Sequence, residues 1–383
     1  MTVPLPTRTQ VRDALPPGSR RPRTLRSLGS LAFSLAATAF PVVLATRFLP
    51  LTWVWAPAWV LYAVVCGTAA TGLWVLAHEC GHGAFSRSRA LRDTVGFVLH
   101  SALLVPYYSW QRSHAVHHAF TNHLDDGETH VPGRSGDDTG APRGRVATAL
   151  VIARSLLLGW PAYLLAGATG GPSRGRTNHF WPLAPFESDL FPPRWHVRVW
   201  GSAAGVVAVL GALVAWGVAA GSVVPVLALY VGPYLVVNAW LVTYTWLQHT
   251  DTDVPHLADP EWDWVLGAFQ TVDRPYPWPV DVLHHHIGTT HVAHHLDPRI
   301  PHYRAREATD AIAAAFPQLY RFDPTPVAAA LWRVAGRCRT VDRHGDAWWF
   351  VPPAATAGDD PGDRDDDREV RGSGSGDVEG LAA

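Results

Sequence analysis

Four long apolar runs, at about Leu31–Leu49, Leu51–Ala77, Val199–Ala220 and Val223–Leu247, constrain this chain more than any other feature. Roughly 20 apolar residues in a helix cross a hydrocarbon core of about 30 Å. Each run is therefore read as a membrane-spanning helix. Pro50 divides the first pair and Gly221 with Ser222 the second, which makes two helical hairpins. Trp53, Trp55, Trp59 and Trp74 suit the interfacial ends of the second span. With 48% of 383 residues apolar and 16% charged, the composition agrees with a membrane protein rather than two soluble domains.

Two further segments are ambiguous. Residues 95–108 are too short to cross as a helix. Residues 147–168 are long enough but are interrupted by Arg154, Gly159 and Pro161. If the histidine clusters described below form one site, an even number of crossings separates them, so this second segment is read as re-entrant or interfacial. The expected architecture is an all-α integral membrane protein of four transmembrane helices with a cytoplasmic helical cap.

The formal net charge of −1 hides an asymmetry. Residues 1–28 are polar and carry Arg8, Arg12, Arg20, Arg21, Arg23 and Arg26, whereas the last residues include the acidic stretch "GDDPGDRDDDREV". The arginines before the first span satisfy the positive-inside rule. This N-terminal segment is expected to be disordered or to lie at the membrane surface. No cleaved signal peptide is read in it. A membrane domain at 29–353 and a disordered acidic tail at 354–383 complete the expected organisation. All 31 basic residues are arginine, a bias expected of a GC-rich genome and hence of a bacterial source. Cys66, Cys80 and Cys338 offer no disulfide framework, in keeping with a site facing a reducing cytoplasm. No nucleic-acid partner is expected.

Histidine is the informative excess, with 20 in the chain. His78 and His82 stand in "HECGH", His114, His117 and His118 in "SHAVHHAF", and His291, His294 and His295 in "THVAHHL". Positions i, i+3 and i+4 share one helix face, so each cluster can aim its imidazoles in one direction. "HECGH" alone matches the helix signature of zinc metalloproteases, with Glu79 as general base. Eight such imidazoles exceed what one zinc takes, since a catalytic zinc has three protein ligands. They suit two metals. Imidazole suits zinc, copper, iron or nickel alike; in a membrane scaffold, a pair of irons that activates oxygen is the best physical reading. The spans hold few polar residues, which disfavours a metal transporter. His100, His123, His130, His179, His196, His256, His302 and His344 are expected at the surface or hydrogen-bonded in the core.

With these residues in view, the sequence resembles the integral-membrane fatty-acid desaturases, within them the acyl-lipid delta-12 (omega-6) and omega-3 branch. Besides the three boxes, "HSALLVPYYSWQRSHAVHH", "YTWLQHT", "EWDWVLGAFQTVDRPY" and "THVAHHLDPRIPHYRAREAT" look like that branch in order and spacing, over roughly residues 70–325. The resemblance implies a non-haem di-iron centre on the cytoplasmic side of four helices. It also implies that O2 and two electrons are used to remove two hydrogens from an acyl chain. The implied metal residues are His78, His82, His114, His117, His118, His291, His294 and His295, with His249 in "LQHT" as a further one and His285 as another candidate. His284 and His286 do not match. Ala115 and Val116 stand where plant-type relatives carry basic residues. No haem segment is visible, so a separate ferredoxin or similar donor is implied.

A tunnel of fixed bend and length must choose the bond position, because one extra methylene in an apolar pocket is worth only about 1–3 kcal/mol. Tyr107, Tyr108 and Trp110 are read as lining its mouth or as interfacial anchors, and Asp263 and Asp273 as acceptors for imidazole N–H groups or as loop caps. The substrate is a fatty acyl lipid or acyl thioester, desaturated to a cis double bond. A related hydroxylase, acetylenase or epoxygenase uses similar boxes and stays open.

Overall fold

The computed structural model describes residues 4–136 and 143–351; the expected acidic tail lies outside them. Helix α1 (Arg8–Ala14) begins with a capping box between Thr7 and Gln10. It is followed by α2 (Thr24–Phe48) and α3 (Ala56–His82). Gly83, at φ +78°, ends α3 in the left-handed conformation that only glycine adopts freely. Helices α4 (Arg89–Ala102) and α5 (Tyr107–Ala119) follow, then strand β1 (Gly133–Arg134) and α6 (Arg145–Ala166). Helix α7 (His196–Ala219) turns into the short α8 (Val224–Val226), a π turn at Leu227–Val231 and α9 (Gly232–His249). Pro233 cannot donate a backbone bond, so a widened turn at this place is expected. Helices α10 (Trp264–Phe269), α11 (Trp278–Leu283), α12 (His291–Leu296), α13 (His302–Ala315) and α14 (Val327–Arg337) build the cap, and β2 (Thr340–His344) and β3 (Ala347–Phe350) close the described chain.

Helix α3 is the axis of the membrane part, packed against α2, α4 and α9. Two glycines bring its backbone close to its neighbours. A Cβ on Gly67 would lie 2.5 Å from the Pro233 carbonyl, and one on Gly72 would lie 2.3 Å from that of Leu283. Overpacking of this kind costs about 1–3 kcal/mol. Around this axis α2, α6 and α7 turn most of their apolar surface outward, with 11%, 17% and 11% of their apolar windows buried against 72% for α3. Among the described residues, five helices are long and apolar enough to cross a membrane: Thr24–Phe48, Trp53–His82, Arg145–Ala166, Pro193–Ala219 and Val224–His249.

A helix lies in each of the four apolar runs and extends beyond it, because helical structure continues into the flanking polar residues at Thr24, His82, His196 and His249. Several other expectations need correction. Arg154, Gly159 and Pro161 do not break α6, since a helix tolerates a proline whose freed groups are met locally. Both of its ends meet other parts of the cap: Arg143 N–H donates to the Gly336 carbonyl, and the loop after α6 bonds residues 127 and 131 through Gly171 and Thr169. Residues 95–108, read as too short to cross, are divided by Pro106 between α4 and α5, and that reading needs no change. The N-terminal segment is not featureless: α1 inserts Val11 and Leu15 into an apolar cluster with Phe269, Val292 and Ile312 of the cap. The fold is not purely helical either. Strand β1 runs parallel to β2, and β2 pairs antiparallel with β3 across a two-residue turn at Gly345, φ +63°.

Candidate metal centre

Helix α3 reaches the cap with His78 and His82 one turn apart at its end, and α9 ends on His249. Helix α5 brings in His114, His117 and His118, and α12 brings in His291, His294 and His295. Their ring nitrogens form two adjoining groups able to hold a metal ion. The first is His78, His82, His114, His118 and His294; the second is His117, His249 and His295, with ligand atoms in each group within 4.8 Å of one another. His291 joins the second group, its Nε2 3.0 Å from that of His249. The middle and last boxes each serve both groups. His114 and His118 of α5 belong to the first group and His117 to the second, and His294 and His295 of α12 divide likewise.

The spacing of the nitrogens is that of donors around an ion. His78 Nε2 is 2.9 Å from His114 Nε2 and 3.3 Å from His82 Nε2, and His114 Nε2 is 3.2 Å from His118 Nε2. Metal–imidazole bonds of about 2.1 Å place neighbouring nitrogens about 3.0 Å apart in an octahedron and about 3.4 Å apart in a tetrahedron. In the second group His117 and His249 Nε2 are 3.2 Å apart. Nε2 of His294 and of His295 is buried without a hydrogen-bond partner. Burial lowers the pKa of His114, His117, His118, His291, His294 and His295, with His117 down to about 3. The imidazoles are thus neutral, the form that binds metal.

Neighbouring groups fix ring orientation. Thr121 Oγ1 donates its one hydrogen to the His117 carbonyl at 2.9 Å, so towards His295 Nδ1, also 2.9 Å away, it can only accept. His295 therefore carries its proton on Nδ1 and leaves Nε2 bare. Thr121→Val should lower metal affinity about 10–100-fold, as loss of such orienting partners does, read by titration against a competing chelator. Trp262 and Trp264 donate to the Thr121 and His118 carbonyls at 3.0 Å each. The sequence reading missed these anchors, because an indole in a loop carries no signal of its acceptor.

Asp263 and Asp273 are caps: Asp263 accepts from the N–H of Val265 and Leu266, and Asp273 from those of His291 and Val292. Trp110 and Tyr107 are buried, not interfacial, at 2% and 0% exposure. Trp110 stacks on His114 at 4.5 Å and Trp74 on His78 at 5.5 Å, so neither Trp74 nor Trp110 is a membrane anchor. Glu79 accepts from the backbone N–H of His302 and lies 2.9 Å from its Nδ1, a commitment that removes it from the role of a zincin base. His285 lies outside both groups, with Nε2 2.9 Å from Ser34 Oγ. His284 lies between the Tyr244 hydroxyl and the Thr68 carbonyl, and His286 contacts Asp281. Of the histidines expected in the core, His179 is hydrogen-bonded, whereas His100 and His256 are buried with both nitrogens unpaired.

A cavity of about 270 Å³ lies against the second group. His117, His249 and His291 share its wall with Trp74, Trp110, Trp160, Val242 and Trp246. Glu128, His130, Arg143 and Arg154 also line it. Glu128 went unnoticed in the sequence, and His130 was expected at the surface or hydrogen-bonded in the core, because an acidic loop such as "LDDGETH" reads as solvated.

Fold and site together define a histidine-rich integral membrane protein whose two clusters of imidazoles could hold metal, with a cavity beside them. Residues 53–325 match the fatty acid desaturase family. A Delta(12)-fatty-acid desaturase of Arabidopsis thaliana is 39% identical over 356 residues, covering 89% of this chain and 90% of the relative. A Delta(12) fatty acid desaturase of Mortierella isabellina is 37% identical over 367 residues, 89% of each. An omega-6 fatty acid desaturase, endoplasmic reticulum isozyme 2, of Glycine max is 40% identical over 345 residues, 87% of each. The chain belongs to the fatty acid desaturase family and is an oxidoreductase of membranes that acts on fatty acyl lipid.

Proposed function

We propose that this enzyme introduces a cis double bond at the delta-12 (omega-6) position of a fatty acyl chain, using O2, two irons and electrons from a ferredoxin or similar carrier. The observation that carries the reading is the pairing of two neighbouring all-histidine groups with one Trp-lined cavity. The irons would be held by His78, His82, His114, His118 and His294 and by His117, His249, His291 and His295; His285 is assigned no metal. Bound there, the pair would supply oxygen activation and hydrogen abstraction. The chain's own residues do the rest. Trp74, Trp110, Trp160 and Trp246 exclude water and hold the acyl chain, and Thr121 fixes the bare nitrogen of His295.

Four membrane crossings, with α6 interfacial, are the topology we favour. Supporting this, both ends of α6 bond to the cap, and an odd number of crossings between His82 and His249 would put them on opposite faces of the membrane. The N-terminal arginines support a cytoplasmic site, and the arginine-only composition supports a bacterial cytoplasmic membrane, although the relatives named above are eukaryotic.

The test is mass-spectrometric analysis of total fatty acids from an oleate-rich host producing this enzyme with a ferredoxin and its reductase, beside a His117→Ala control. A 9,12-diene absent from the control is expected. A hydroxylated or acetylenic product instead would overturn the double-bond assignment.

A further inference from the structure

Glu128 is the one carboxylate among the described residues lining the cavity beside the metal groups, and it is 4% exposed. Its Oε1 lies 2.8 Å from the Tyr163 hydroxyl, which lies 2.8 Å from Ser113 Oγ, which lies 2.9 Å from His179 Nε2. Counting hydrogens along this chain fixes the state of its first member. His179 Nδ1 faces the Leu164 carbonyl at 3.2 Å, a group that can only accept, so Nδ1 carries a proton. Burial holds the His179 pKa down to about 4, so the ring is neutral and Nε2 is bare. Ser113 must then donate its single hydrogen to Nε2, in preference to the Trp110 carbonyl at 3.1 Å. The Tyr163 hydrogen is left for Ser113 Oγ, since two oxygens 2.8 Å apart need one between them. Nothing remains to hold Glu128 to Tyr163 except a hydrogen on Glu128 itself.

From this chain and its place in the cavity wall, we propose that Glu128 is a neutral carboxylic acid and acts as the proton donor to reduced oxygen in this enzyme. The proposal rests on the desaturase reading. In that reaction the acyl –CH2–CH2– segment gives up two hydrogens and two electrons and becomes –CH=CH–. The O–O bond of O2 breaks, and two further electrons from the carrier protein and two protons complete two waters. Glu128 supplies one of those protons to an oxygen leaving as water, and is reprotonated from solvent after the product has left the cavity.

Burial pushes the Glu128 pKa up to about 8, with the charge of Arg174 acting against it. Arg174 is itself spent on the Asp126 carbonyl, at 2.7 and 3.0 Å. The groups facing the acid are thus Tyr163, Arg174 and, through Ser113, His179. Because the folded pKa exceeds the ordinary 4.5, the native state holds the extra proton between these values. Stability from this group is complete below about 4.5 and is lost as pH rises through about 8.

Glu128→Gln separates chemistry from structure, because a glutamine N–H can donate to Tyr163 as the neutral acid does but has no proton to give. The variant should fold and load metal like the parent, while turnover falls about 100-fold or more, the usual contribution of a positioned general acid. Glu128→Asp should recover part of it. Isotope-edited infrared spectra of the metal-free protein at pH 7 should show a protonated-carboxyl band that Glu128→Gln removes. Parent-like turnover in Glu128→Gln, or a carboxylate band at pH 7, would overturn the proposal. A parent enzyme without activity on any acyl substrate would sink the desaturase reading instead, and the infrared band still decides the state of the acid.

Discussion

His118→Ala should abolish desaturation and leave the protein with about half its metal. His118 sits among the first group of imidazoles, so its loss removes a donor from that group and leaves the donors of the second in place. Removing a partner that merely orients a ligand costs about 10–100-fold in affinity; removing a donor should cost more than the upper end of that range. The expected result is elemental analysis near one metal per chain against two in the parent, with no diene detected. Two metals retained with activity intact would show that His118 is not a donor. Folding should change little, since α5 remains anchored by Trp264 to the residue 118 carbonyl, a backbone contact that alanine keeps.

Arg274→Met should cost about 3–5 kcal/mol of stability, the range for breaking a buried ion pair from one side. Arg274 is 0% exposed and lies between Asp251, at 2.6 Å, and Asp323. Arg333 closes the network, 2.5 Å from each of the same two carboxylates. Methionine keeps much of the buried volume but leaves two carboxylates sharing one arginine. The network matters to the site because Arg274 Nε also donates to the Leu247 carbonyl at 3.0 Å, two residues before His249. Denaturation in detergent should therefore show the loss, and metal affinity should fall with it. A stability change under about 1 kcal/mol would show that the pair is screened like a surface pair. Acid should mimic the mutation. Burial raises the pKa of Asp251 and Asp323, but hydrogen bonds outweigh it, from Arg333 and Arg274 on Asp251 and chiefly from Thr325 on Asp323, and hold both below the ordinary 3.8. Their stabilisation is present above that value and is lost as pH falls below it.

The clustering of the three histidine boxes could be read because it is local: i, i+3 and i+4 spacing sets a shared helix face whatever the helix later packs against, whereas His249 was singled out only by the family resemblance. The long apolar helices were legible for a similar reason, since lipid demands long apolar runs. Trp74 and Trp110 were misread as interfacial because a tryptophan in a span has the same letter whether it meets headgroups or stacks on His78 and His114. Asp263 and Asp273 show the same limit, for whether a carboxylate caps a helix or orients a ring depends on which donors the fold brings to it.

By itself the sequence determined that this chain is a helical membrane protein with clustered histidines able to hold metal, because both properties follow from residue type and spacing along one helix. Only the tertiary structure decided how the boxes divide between two groups, that Glu79 is committed to His302, and that Glu128 stands at the cavity. These depend on where segments separated by dozens or hundreds of residues come to rest. Packing of α3, α5, α9 and α12 against one another sets those positions, and no spacing along the chain records it.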